Sequence, residues 1–245
     1  MSEVHPTSRV SWAKALVVGT ALYLLVAIGS QVIPTVFLPG ELRGFDYAYV
    51  GLCQLIFGLA AIGLALRMTT LTFRDLGLFR RVVLPEAAIG ATIAVLFAVL
   101  QFGFILPATG GAGRSDVVAN VGQIGESWWG VLGFVILAWT GGATEEVFFR
   151  GLFLNALRGI IGGQNESVIS AERTLDTSAI AAAIVTIVLF ASLHSYQGWT
   201  GVIDTGLYGG LTLTLLYLLR RDLTACIVAH ALWNTLATIG LFIIY

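Results

Sequence analysis

The sequence predicts an all-α, polytopic transmembrane helical bundle of about seven spans, and three observations carry that expectation. Of the 245 residues, 57% are hydrophobic and only 11% charged, with a mean hydropathy of +0.89, far from the roughly 25% charged residues of soluble domains. Seven apolar stretches can be marked off, most approaching the roughly 20 residues that cross a bilayer core. The basic residues collect in alternate connections, as expected of a topogenic signal. Thirteen basic and fourteen acidic residues leave a net charge of -1, which offers no basic footprint for nucleic acid and no acidic disordered tail. The bilayer is therefore an expected partner and nucleic acid is not. Without a solenoid period or a Gly/Ser linker, residues 1–245 read as one membrane domain, with N-terminal spans over 15–106 and a later core over 129–245.

The first run, Ala15 to Leu38, follows Arg9 and Lys14 and contains a signal-like Ala27-Ile28-Gly29, but it continues past that point and reads as an uncleaved signal anchor. The second and third are Tyr47 to Leu66 and Ala87 to Leu106. Between them, Leu71 to Arg81 mixes Leu and Phe with arginines and reads either as a short interfacial helix or as an ordinary basic loop. The stretch from Pro107 to Ser127 leaves room for an eighth helix, which only the distribution of positive charge opposes. The fourth run is Trp129 to Leu157, and the polar stretch Arg158 to Ser178 after it reads as a mobile loop. Ile180 to Leu193, Val202 to Leu219 and Leu223 to Ile244 complete the set. On the sixth, Gly206 and Gly210 form a small-residue ridge suited to close helix approach. Cys53 and Cys226, each inside an apolar run, read as core filler.

Arg9, Lys14, Arg67, Arg74, Arg80, Arg81, Arg158, Arg173, Arg220 and Arg221 fall on one side of this arrangement, and only Arg43 and Arg114 on the other. The asymmetry predicts a cytoplasmic N-terminus. The Arg-rich, nearly Lys-free composition reads as that of a bacterial chain, hence an inner-membrane protein.

An ionisable side chain at the bilayer centre costs at least about 2.5–3.5 kcal/mol, so each is a functional hypothesis. The fourth run carries Glu145, Glu146 and Arg150. Glu146 and Arg150 stand four residues apart with the acid first, the favoured order for a helical pair. Glu145 is rotated about 100° away, has Phe149 as its own fourth neighbour, and must find a partner on another helix. His194 and His230 lie in or at the edge of later runs, each with a companion four residues away, Phe190 and Asn234. Two imidazoles, a carboxylate and an amide supply a base, an orienting group and hydrogen-bond donors, the parts needed to activate a water and hold an oxyanion. Taken singly, an intramembrane His or Asn is often only an interhelical hydrogen bond worth about 0.6 kcal/mol, and Glu146 with Arg150 reads equally as a structural ion pair.

The ordered set EExxxR at Glu145, Glu146 and Arg150, FxxxH at Phe190 and His194, and HxxxN at His230 and Asn234 resembles the CPBP family of CAAX proteases and bacteriocin-processing enzymes, also called Abi. The resemblance covers roughly Trp129 to Tyr245. It implies an intramembrane endopeptidase in which Glu145 and His194 activate the attacking water, His230 and Asn234 stabilise the oxyanion, and Glu146, Arg150 and Phe190 support the site. The implied substrate is a membrane-associated peptide or protein, either a lipidated CAAX tail or a peptide undergoing maturation. Glu145, His194 and His230 would offer three zinc ligands with an open position, but H-E-x-x-H is absent and the resemblance favours a metal-free mechanism with no cofactor.

Other chemistries fit less well. Gly125-Glu126-Ser127-Trp128 has a rhomboid-like form but leaves both glutamates without a role, and Asp204 and Asp222 sit at span edges, wrong for an aspartyl pair. Outside the proteases, the same polar pocket suits a proton-coupled transporter or a non-catalytic scaffold or immunity protein. A geometric tension stands as well. Straight spans with these boundaries separate Glu145 from His194, so their convergence requires the fourth run to continue through Leu157, the fifth to start late or tilt, or His194 to Gly198 to fold back as irregular backbone lining the site.

Overall fold

The computed structural model describes residues 9–38, 40–69, 71–162 and 176–245. They form α1 (Arg9–Phe37), α2 (Asp46–Leu66), α3 (Val83–Ala108), α4 (Ser115–Ile124), α5 (Trp128–Gly162), α6 (Thr177–Leu193), α7 (Ser195–Arg220) and α8 (Leu223–Ile244). No strand occurs among the described residues. Six of these helices are long and apolar enough to cross a membrane, and α6, with 17 residues, is a shorter apolar helix. The chain is an integral membrane protein with a helical-bundle fold.

The boundaries differ from those expected of the sequence in ways that matter for the site. The region from Pro107 to Ser127 does hold a helix, but α4 has only 10 residues and rises about 15 Å, too short to span. The segment Leu71 to Arg81 forms turns in place of an interfacial helix: Gly77 takes φ +103° and Phe79 φ +51°, which reverse the chain. It docks on the junction between α7 and α8, where Leu223 N–H donates to Gly77 O, Arg81 N–H to Asp222 Oδ2 and the Tyr217 hydroxyl to Leu76 O. The expected mobile loop begins and ends in helix, Arg158 lying in α5 and Ser178 in α6, while its middle, 163–175, lies outside the described residues.

In a lipid solvent, helices associate by van der Waals packing and close approach more than by expulsion of apolar surface. Small residues set those approaches here. Gly51 and Gly58 of α2 lie directly against Thr140 and Thr144 of α5, leaving no room for a methyl group. The Gly206–Gly210 ridge on α7 packs as its spacing predicts, since a Cβ there would stand 3.3 Å from Ala191 and 3.2 Å from Ile187 of α6. Helix α5 runs through the centre: every residue from Val147 to Phe153 is buried, and Tyr23 of α1 stacks on Phe148 with centroids 3.9 Å apart. Cys226 is buried core, and Cys53 is half-buried.

Helix α6 starts against the far end of α5. Asp176 caps it, accepting from Ala179 N–H, and receives Arg158 of α5 at 2.9 Å. Partial burial of Asp176 opposes ionisation, but hydrogen bonds from Ser178, Arg158 and Ala179 outweigh it and hold the carboxyl well below the usual carboxylate range. A depressed folded-state pKa adds stability above the unfolded value of about 4 and loses it as the pH falls towards the folded value. Asp176→Ala is therefore expected to destabilise by about 1 kcal/mol near neutral pH. Thermal unfolding in detergent should show this gap narrowing once the pH drops below about 4; a gap that stays constant down to pH about 3 counts against the assignment.

Candidate active site

The depth problem posed by the sequence is solved by the length of α5. It continues past Leu157 to Gly162, 35 residues in all, and the Arg158–Asp176 pair levels the start of α6 with a point about 20 Å beyond Glu145. Climbing back over 17 residues, α6 returns about 25 Å and delivers His194, its C-terminal cap, to the depth of Glu145. The chain then turns at once. Ser195–Gln197 forms a 3-10 turn and Gly198, at φ +73°, starts the next helical stretch, so Tyr196 and Gln197 line the site as the fold-back expected of this segment.

Glu145, His194, His230 and Asn234 all border one cavity of about 580 Å³. They come from α5, the end of α6 and α8. Glu145 keeps 27% of its side chain exposed to this space and approaches the His230 ring, Oε2 to Nε2, at 4.0 Å. That supplies the cross-helix partner Glu145 lacks within α5.

Glu146 points the other way, fully buried, and its Oε1 receives both Arg150 Nη1 at 2.9 Å and His230 Nδ1 at 2.7 Å. A carboxylate oxygen only accepts, so His230 Nδ1 carries a proton and Nε2 is the nitrogen facing Glu145. His194 is fixed likewise. Its Nδ1–H donates to the Phe190 carbonyl at 2.8 Å, which leaves Nε2 of a neutral ring as an acceptor.

Phe190 joins these groups physically. Its ring lies 4.6 Å from the Arg150 guanidinium carbon, 4.7 Å from the His194 ring and 6.4 Å from the His230 ring. It covers a buried cation on one side and orients both imidazoles on the other. The ring fits because Gly209 has no side chain: a Cβ there would meet Phe190 Cε1 at 2.5 Å. The π-helical turns Val147–Phe153 and Gly206–Thr212 flank this cluster, the wide turns that recur at functional sites. Among the described residues, no group of three His, Cys, Asp or Glu is placed to hold a metal ion.

The comparisons follow the same segment. Residues 127–236 match a protein-family model described as type II CAAX prenyl endopeptidase Rce1-like. The match is to the CPBP, or CAAX protease, family. It spans α5 to most of α8 and so includes every motif residue of the site, while α1 to α4 lie outside it. No curated protein and no solved structure matches the chain.

The sequence does not single out several residues of this cavity. Tyr47 and Gln54 of α2, Asn120 of α4 and Tyr208 of α7 also line it. Gln54 has a signal, an amide inside an apolar run, of the kind that draws attention to Asn234. Asn120 has none, because α4 is too short for its apolar face to stand out. At the end of the bundle where α5 begins, Arg114 holds α4 in place through Asp116 and Asp204, each at 2.7 Å, and Gln101 of α3 joins Asp204 at 3.0 Å.

Proposed function

We propose that the protein is an intramembrane endopeptidase that hydrolyses a peptide bond of a membrane-associated substrate with a water activated by Glu145 and His194. The observation that supports this reading is the meeting of Glu145, His194, His230 and Asn234, from three helices, around one cavity. Glu145 takes a proton from the water as its oxygen bonds to the scissile carbonyl carbon, and His194 Nε2 orients the same water as acceptor. The Asn234 amide and His230 Nε2–H hold the resulting oxyanion. His230 fills that role as the doubly protonated ring, its Nδ1–H held on Glu146 across the 2.7 Å hydrogen bond. Glu145 then passes its proton to the departing amine nitrogen as the C–N bond breaks.

No cofactor enters this scheme. The N-terminus is cytoplasmic and the membrane a bacterial inner membrane in the same reading, on the distribution of basic residues. The test is cleavage of quenched peptide substrates by the reconstituted protein, with and without a strong chelator. Cleavage that persists in chelator is expected; activity lost to chelator and restored by zinc overturns the metal-free scheme, and no cleavage of lipidated or unlipidated peptides overturns the protease reading.

A further inference from the structure

Besides Gln197, whose amide already donates to the Tyr196 hydroxyl and accepts from Thr205, five carboxamide side chains line the cavity: Gln31 of α1, Gln54 of α2, Asn120 and Gln123 of α4, and Asn234 of α8. None makes a side-chain hydrogen bond to another described residue. Gln31 and Gln123 are exposed at the rim, whereas Gln54 and Asn120 are half-buried in the wall. Gln54 abuts Gly141, one helical turn from Glu145 on the same face of α5. Helix α4 is pinned beside them by the Arg114 ion pairs, so Asn120 belongs to a fixed wall.

We infer that these amides bind the main chain of an extended, unlipidated peptide segment and present it to Glu145. The inference rests on the protease reading of the same cavity. A carboxamide offers a donor and an acceptor side by side, which pair with the C=O and N–H of a peptide group irrespective of its side chain. An extended strand shows such groups along both edges, with a rise of about 3.3 Å per residue. An isoprenoid chain in the same space would strand each amide without a partner. Of these five amides all but Asn234 lie outside the residues 127–236 that match the family, so the chemistry and the choice of substrate are carried by different parts of the chain.

The test measures binding to the full-length Glu145→Gln protein in liposomes. The probes are a fluorescent pool of short unlipidated peptides and, as competitor, N-acetyl-S-farnesylcysteine. The pool should bind without displacement by the farnesyl compound, and Gln54→Leu with Asn120→Leu should weaken binding by about tenfold or more, the effect of two lost hydrogen bonds. Each single variant is read alongside, at matched thermal stability. Binding that requires the farnesyl group, binding unchanged in the double variant, or no binding by the pool overturns the inference. Cleavage by the unsubstituted protein separates the two readings. Pool binding without cleavage of any peptide removes the protease and keeps the peptide site; cleavage of farnesylated peptides alone keeps the protease and removes the peptide site.

Discussion

Glu145→Gln is expected to abolish peptide cleavage while leaving the fold intact. The substitution keeps the size and shape of the side chain and removes its capacity to accept a proton. The loss should be at least about 10²–10⁴-fold, the usual contribution of a positioned general base. Stability should change by less than about 0.5 kcal/mol, because Glu145 faces the cavity and its cross-helix approach to His230 is long, at 4.0 Å. Initial rates on a quenched peptide, measured beside thermal unfolding, test both halves of the expectation. Turnover within tenfold of the parent protein would show that Glu145 is not the base. The neighbouring Glu146→Gln serves as a contrast, since Glu146 is fully buried and holds both Arg150 and His230, so that change should cost stability as well as rate.

This difference between adjacent glutamates is legible in the amino-acid order itself. Helical rotation alone separates the paired Glu146 from the unpartnered Glu145, and the folded chain puts the first in the core and the second on the cavity. The alternation of apolar runs and basic connections likewise marks out the helices and their order. Depth is what the sequence withholds. Hydropathy ends the fourth run near Leu157, because Arg158 and the polar residues after it look like a loop; only the Asp176 cap on α6 and its pairing with Arg158 reveal that α5 continues as helix. The second donor to Glu146 is hidden for a related reason. His230 and Asn234 share a helical face by spacing, but the reach of His230 Nδ1 to Glu146 on another helix depends on how closely α8 crosses α5, and spacing within a helix carries no such information. The convergence of the cavity's amides on α2 and α4 escapes a reading of the sequence, even where one of them, Gln54, stands out in an apolar run, because their meeting on one space is a property of packing.

Arg150→Met should be the most damaging single change to stability. Both members of the Arg150–Glu146 pair are fully buried. Removing the cation strands a carboxylate with His230 as its remaining donor, and breaking a buried pair in this way costs about 3–5 kcal/mol. Loss of the guanidinium over the Phe190 ring adds about 0.5–2 kcal/mol. The companion substitution Glu146→Gln removes the stranded charge, so Glu146→Gln with Arg150→Met should be more stable than Arg150→Met alone. Chemical unfolding in detergent micelles, analysed as a double-mutant cycle, should give a coupling energy above about 1 kcal/mol. Additive effects would mean that Arg150 acts through packing against Phe190 alone. Activity should not return with stability in the double variant. His230 would then face a neutral amide in place of Glu146, without the carboxylate that fixes its Nδ1 proton. Recovery of stability without recovery of rate separates the two tasks assigned to Glu146, neutralising Arg150 in the core and orienting His230 towards the cavity.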